Sequence, residues 1–133
     1  MTPVFADTYY YAALVNPMDA GHVRAKDYAR TATRPLVTTG WILTELADGL
    51  AKINSRNIFS RLFGIITNDP TTTLLPVEQS LMDRGLALYL ARPDKEWSLT
   101  DCISFVVMQE QNLAEALTAD RHFEQAGFVA LLK

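Results

Sequence analysis

The sequence predicts an α/β fold, with a central, mainly parallel sheet of about five strands covered by helices on both faces. Short runs of apolar and β-branched residues alternate along the chain with longer stretches whose apolar residues recur at helical spacing. Two acids, Asp7 and Asp120, stand where such a run gives way to a helical stretch, which is the edge at which parallel sheets collect ligands. No internal repeat interrupts the pattern.

The elements follow in order. Pro3–Ala6 is the first strand, and Tyr9 to Leu14 continue it as a helix. Asp19 is read as the N-cap of a surface helix running to Thr31, and Pro35–Thr38 as the second strand. A helix from Thr39 to Lys52 carries Ile42, Leu43, Leu46, Ala47 and Leu50 along one side. Ser55 is read as the cap of the next helix, with Ile58, Phe59, Leu62, Phe63 and Ile66. Thr72–Val77 is the third strand, interrupted near its end by Pro76, and Glu78–Ala91 is a helix with Leu81, Leu88 and Tyr89 available for burial. Arg92–Trp97 is a loop. Ser98-Leu99-Thr100-Asp101 has the spacing of a capping box, opening a helix to Gln111. Ala116–Thr118 is a short strand, Asp120 starts a single helical turn ended by Gly127, and Phe128–Leu132 is the last strand.

At 133 residues, 49% hydrophobic and with a mean hydropathy of +0.04, the chain suits one domain over residues 1–133 with a single core. Apolar stretches such as Ile103–Met108 end far short of the roughly 18 residues a membrane span needs, and no basic-then-apolar leader opens the chain. A soluble, cytoplasmic protein is expected. One cysteine, Cys102, cannot form an internal disulfide, and with only two histidines a conventional zinc site is excluded, so any metal is expected to take oxygen ligands. Net charge is -3, but it is unevenly spread. Residues 20 to 64 hold seven of the twelve basic side chains and three of the fifteen acidic ones, so that segment is net positive within an acidic chain. It is either a phosphate-binding face or solvated helix surface.

Four acids attract attention. Asp7 and Asp120 face the carboxyl edge of the sheet, Asp101 lies in the first turn of a helix, and Glu45 sits in an otherwise apolar helical stretch, where a carboxylate needs a reason. No Lys or Arg lies within four residues of Asp7, Glu45 or Asp101 to explain it as a local ion pair, although Arg121 adjoins Asp120. Carboxylates gathered in one cleft repel unless a cation sits among them, and Mg2+ or Mn2+ meets that demand with oxygen ligands. Each acid also has a structural reading: Asp101 as the capping-box acid, Asp120 as an N-cap, Asp7 as a helix start.

These residues carry a resemblance. Val4-Phe5-Ala6-Asp7-Thr8, Ile42-Leu43-Thr44-Glu45, Trp97-Ser98-Leu99-Thr100-Asp101-Cys102, and Leu117-Thr118-Ala119-Asp120-Arg121-His122-Phe123 followed by Gly127-Phe128 stand in the order found in PIN-domain ribonucleases. The chain resembles in particular the small VapC-like toxins of toxin–antitoxin pairs. The resemblance implies a Rossmann-like three-layer α/β/α sandwich and a Mg2+ or Mn2+ site formed by Asp7, Glu45, Asp101 and Asp120. It also implies hydrolysis of single-stranded or loop RNA, pairing of two copies and inhibition by an antitoxin protein. Thr8 and Thr118 match small hydroxyl positions near that site, and Cys102 stands where Ala is frequent.

On this reading Arg24, Arg30, Lys52 and Arg56 are the candidate RNA contacts. His22 and His122 are read as surface or packing residues, Cys102 as buried beside the site, and Trp41 and Trp97 as core or rim, with Trp97 the better candidate for base stacking. At least one of Tyr9, Tyr10 and Tyr11 is expected near the cleft or an interface, since three consecutive residues cannot share one helix face. The alternatives are a PIN nuclease of RNA processing without a toxin role, and a PIN module that binds RNA or a partner without cutting. A receiver-like signalling domain fits poorly, because Asp7 has no acidic neighbour, Pro76-Val77 ends the third strand, and no Lys but Lys133 follows the last.

Overall fold

The computed structural model describes residues 1–133. Five strands, β1 (Val4–Ala6), β2 (Leu36–Thr39), β3 (Thr72–Leu75), β4 (Glu115–Leu117) and β5 (Val129–Ala130), pair in parallel throughout, in the order β3-β2-β1-β4-β5. Helices α1 (Thr8–Val15) and α2 (His22–Thr31) join β1 to β2, and α3 (Gly40–Gly49) and α4 (Arg56–Asn68) join β2 to β3. Helices α5 (Gln79–Ala91) and α6 (Leu99–Glu110) carry the chain back across β1 to β4, and α7 (Arg121–Gln125) leads to β5.

Because the sheet grows first to one side of β1 and then to the other, right-handed crossovers put α1 to α4 on one face and α5 with α6 on the other. The expected three-layer α/β/α sandwich is therefore what the chain forms. The reversal of strand order falls between β1 and β4, so the crevice where ligands gather in such sheets opens beyond Ala6 and Leu117.

The sheet's central strand is wholly buried, Val4, Phe5 and Ala6 having no exposed surface. On one side the core is an aromatic cluster in which Phe105 of α6 meets Trp97 and Phe123 edge-on, at centroid distances of 5.0 and 4.9 Å. Seven consecutive residues of α6, Cys102 to Met108, are buried, because the helix is clasped between the sheet and α5. Gly85 permits that approach, since a β-carbon there would stand 2.3 Å from Cγ1 of Ile103. No helix is long and apolar enough to cross a membrane.

Several boundaries differ from the sequence reading. The second helix starts at His22, three residues after Asp19, and Gly21 is its N-cap; Asp19 instead closes the preceding turn by accepting from the Gly21 amide at 2.8 Å. Gly21 is pressed against the Tyr9 ring, where any β-carbon would collide, so packing sets the start. Ser55 precedes α4 without a side-chain capping bond. The third strand ends at Leu75, one residue before Pro76, whose missing N–H cannot continue the ladder, and the last is only Val129–Ala130. In α4, Leu62 and Ile66 are buried whereas Phe63 is 43% exposed.

Candidate active site

At the carboxyl edge of the sheet an open cleft of about 570 Å³ is lined by six carboxylates (Asp7, Glu45, Asp48, Glu96, Asp101 and Asp120) together with Thr8, Tyr9, Ser98 and His122. No Lys or Arg lines it. All four acids singled out in the sequence thus lie in one cleft, joined by Asp48 and Glu96, which local pattern does not distinguish from ordinary surface acids.

Each acid is delivered by a helix start or an inward helix face. Asp7 ends β1 and is the N-cap of α1, and Asp120 follows β4 as the N-cap of α7, its Oδ1 accepting from the His122 amide at 2.9 Å. Asp101 is the third residue of α6: the Asp101 amide donates to Ser98 Oγ at 3.0 Å and the Ser98 amide donates to Asp101 Oδ2 at 3.1 Å, completing the predicted capping box. Glu45 projects from the middle of α3, half-buried, where the Thr8 hydroxyl donates a short hydrogen bond to Oε1. Backbone amides of three helix starts thereby face the acids and offset part of their repulsion.

The two threonines hold the acids. Thr118 is fully buried, donates from Oγ1 to Asp7 Oδ2 at 2.9 Å and accepts from the Asp120 amide at 3.0 Å, so one hydroxyl fixes the acids that end β1 and β4 relative to each other. Thr8 does the equivalent for Glu45. Thr38 hydroxyl donates to the Ala6 carbonyl at 2.9 Å and so braces the backbone just before Asp7.

Asp7 is only 7% exposed. Burial, with the charges of Asp101 and Glu45 adding to it against the Thr118 hydrogen bond, pushes its carboxyl up to about 7. Burial likewise raises Glu45 above the ordinary range, opposed by Thr8 and aided by Asp101 and Asp48. Near neutral pH the protein alone cannot keep this cluster fully ionised at low cost. The donor set is carboxylate oxygen with one imidazole and no neutralising cationic residue, so it fits a divalent cation such as Mg2+ or Mn2+. Cys102 is buried beside Asp101, and burial and that charge push its thiol up, so it is no nucleophile.

His122, which the sequence reading sets aside as a surface or packing residue, faces the cleft: its Nδ1 lies 3.1 Å from Asp101 Oδ2 and 3.5 Å from Asp120 Oδ1. The available signal was its place two residues after an N-cap acid in a one-turn helix, which aims the ring back over that turn. Of the three tyrosines, Tyr9 lines the cleft, whereas Tyr10 and Tyr11 are buried. Trp97 is 6% exposed and donates from Nε1 to Gln125 Oε1 at 3.0 Å, so it packs in the core and presents no face for base stacking.

The basic candidates stand outside this cleft. Arg24 donates to the Leu132 carbonyl at 3.2 Å, Arg30 pairs with Asp27 on the same helix, and Arg56 donates to the Ala51 carbonyl at 3.0 Å. A second groove of about 380 Å³ lies between α1, α3 and α4 and reaches the cleft at Thr8 and Glu45; neither Lys52 nor Arg56 lines it. A third cavity, of about 510 Å³, lies at the amino end of the sheet and is walled mainly by apolar residues such as Leu14, Leu62 and Ile66. Its titratable groups are Tyr10, Tyr11, Arg34 and Asp69, a single carboxylate among them, so it gathers no cluster of acids.

No protein-family model matches the chain. It is 28% identical over 129 residues, 95% of either chain, to the 23S rRNA-specific endonuclease VapC20 of Mycobacterium tuberculosis, in both the CDC 1551 / Oshkosh and H37Rv strains. The crystal structure of M. tuberculosis VapC20, described as a sarcin-ricin loop cleaving toxin, superposes with a TM-score of 0.86 at 25% identity, covering 95% of this chain and 96% of that one. The crystal structure of FitAcB from Neisseria gonorrhoeae shares the fold at a TM-score of 0.65 and 16% identity, over 96% of this chain and 94% of that one.

Proposed function

We propose, from the premise that this chain is VapC-like in sequence and in its PIN-domain fold, that it is a Mg2+- or Mn2+-dependent endoribonuclease, the toxin of a toxin–antitoxin pair. The observation that carries the reading is the convergence of Asp7, Glu45, Asp101 and Asp120 on one cleft free of Lys and Arg, at the strand-order reversal of the sheet. In that cleft Asp7, Asp101 and Asp120 hold the principal cation and Glu45 completes the acidic set. When bound, the cation supplies an activated water and positive charge for the phosphate oxygens.

The protein's own groups do the rest. Thr118 and Thr8 orient the Asp7 and Glu45 carboxylates so that no side chain has to reorganise as substrate arrives. The capping box fixes Asp101 at the mouth of α6. The open shape of the cleft admits a phosphodiester from outside, and the neighbouring groove, which shares Thr8 and Glu45 with it, offers the strand a path onward. VapC20 acts on 23S rRNA by its name, so a hairpin loop of ribosomal RNA is the first substrate to try. A protein antitoxin that covers the acidic cleft is the corresponding partner.

The test is incubation of the purified protein with defined RNA hairpins in Mn2+, in Mg2+ and in excess chelator, with the cut positions mapped. Cleavage only with the metals supports the proposal. Undiminished cleavage in chelator sinks the metal mechanism, and no cleavage of any RNA under any condition favours a binding module.

A further inference from the structure

We infer that His122 is itself a ligand of the cation in this cleft, and that its nitrogen gives the site a preference for Mn2+ over Mg2+; the inference rests on the metal-dependent reading above. The ligand atoms of Asp101, Asp120 and His122 all lie within 4.8 Å of one another, with His122 Nδ1 at 3.1 and 3.5 Å from the two carboxylate oxygens. Bonds of about 2.1 Å in an octahedral shell set adjacent ligand atoms about 3.0 Å apart and opposite ones about 4.2 Å apart. The two distances from His122 Nδ1, 3.1 and 3.5 Å, fall within that frame, and a contraction of the three-atom set by a few tenths of an ångström from its 4.8 Å bound lets one ion touch all three groups.

The backbone prepares the same arrangement. The His122 amide donates to Asp120 Oδ1 while Nδ1 of the same residue turns toward Asp101 and Asp120, so its backbone nitrogen and one ring nitrogen both face the acids. Coordination uses the neutral ring with its hydrogen on Nε2 and its Nδ1 lone pair directed at the ion. An imidazole nitrogen adds to the affinity of first-row transition ions but little to that of Mg2+, which prefers oxygen and holds its waters. A set of carboxylates alone would distinguish the two ions less.

The experiment measures binding without RNA: Mn2+ by the loss of the free ion's paramagnetic resonance signal, and Mg2+ by its competition with Mn2+. In His122→Ala, Mn2+ binding is expected to weaken about tenfold or more while Mg2+ binding changes by less than about threefold. His122→Asn, which places an amide oxygen near the position of Nδ1, is expected to keep Mg2+ binding and still lose the preference for Mn2+. Unchanged Mn2+ affinity in both variants overturns the inference. So does tighter binding of both ions in His122→Ala, which is what a ring that merely bridges the two carboxylates would produce. The double variant Asp101→Asn/Asp120→Asn separates the two levels: if it binds both ions as the wild type does, the metal reading of the cleft fails, whatever His122 does.

Discussion

The acidic cleft has two halves that are built differently. In one, Asp7 and Glu45 are held by threonine hydroxyls and withdrawn from water, and burial raises both carboxyls above their ordinary range. In the other, Asp101 and Asp120 sit at helix starts, partly exposed, tied to backbone amides and facing His122. The first half carries a folding penalty that only a proton or a cation removes. The second is tied to its own helix ends through the Ser98 and His122 amides. If the cleft holds a cation as proposed, the buried half gains most from its charge and the exposed half leaves it open to solvent.

The largest expected effect breaks the exposed half. Asp120→Asn keeps the N-cap oxygen that accepts from the His122 amide but removes the charge, so the fold is expected to persist while RNA cleavage falls by more than about a thousandfold. Cleavage within about tenfold of wild type, measured in saturating Mn2+, would reduce Asp120 to a cap.

Asp7→Asn breaks the buried half, and here stability is the readout. The Asp7 carboxyl stands at about 7 in the fold against 3.8 as its reference value, so the folded protein holds that proton more tightly than the unfolded chain does. The resulting stability is fully present below about pH 4 and is lost as pH rises through 7. Without metal, wild-type stability from denaturant unfolding is therefore expected to decline between about pH 4 and pH 7 and to level off above that. Asn has no proton to lose, so the variant is expected to gain up to about 4 kcal/mol over wild type at pH 8. Parallel pH profiles for the two proteins would show that burial of Asp7 costs nothing.

The halves were not equally legible in the sequence. Asp7 and Asp120 were readable because strand ends are marked by short apolar runs, and Ser98 with Asp101 because a capping box is a local pattern. Parallel order and the three-layer arrangement followed from alternation alone. The start of α2 was not readable, since it depends on Gly21 meeting Tyr9. Asp48 and Glu96 were not readable either, because what brings them to the cleft is the packing of α3 and α6 around β1 and β4 rather than any spacing along the chain, whereas His122 carried a local signal in its place two residues after Asp120. Trp97 was recognisable as core or rim, but its Nε1 partner Gln125 lies 28 residues away.

A smaller effect sharpens the contrast between the two threonines. Thr118→Val removes the donor to Asp7 and the acceptor of the Asp120 amide in a fully buried place, and is expected to cost about 1–3 kcal/mol in unfolding experiments. Thr8→Val frees a half-buried Glu45 that water can reach, and is expected to cost less than about 1 kcal/mol. The reverse order would mean that Glu45, not Asp7, is the carboxylate whose ionised form depends most on its hydroxyl.

The smallest expected effect concerns Asp101, which belongs to both a local motif and the site. As the capping-box acid it accepts from the Ser98 amide, and through the same Oδ2 it faces His122. Asp101→Asn keeps an oxygen for the Ser98 amide and relieves repulsion on Asp7, so two small contributions oppose each other and the metal-free protein is expected to melt within about 1 kcal/mol of wild type. Ser98→Ala removes only the cap to the Asp101 amide and is expected to cost about 1 kcal/mol with or without metal. Mn2+ then separates them. A ligand at a hundredfold excess over its Kd stabilises the folded state by about 2.7 kcal/mol; Ser98→Ala should keep that gain, and Asp101→Asn should lose most of it. Equal metal-induced shifts in thermal melts of the two variants would assign Asp101 to the helix start alone and leave the exposed half of the cleft to Asp120 and His122.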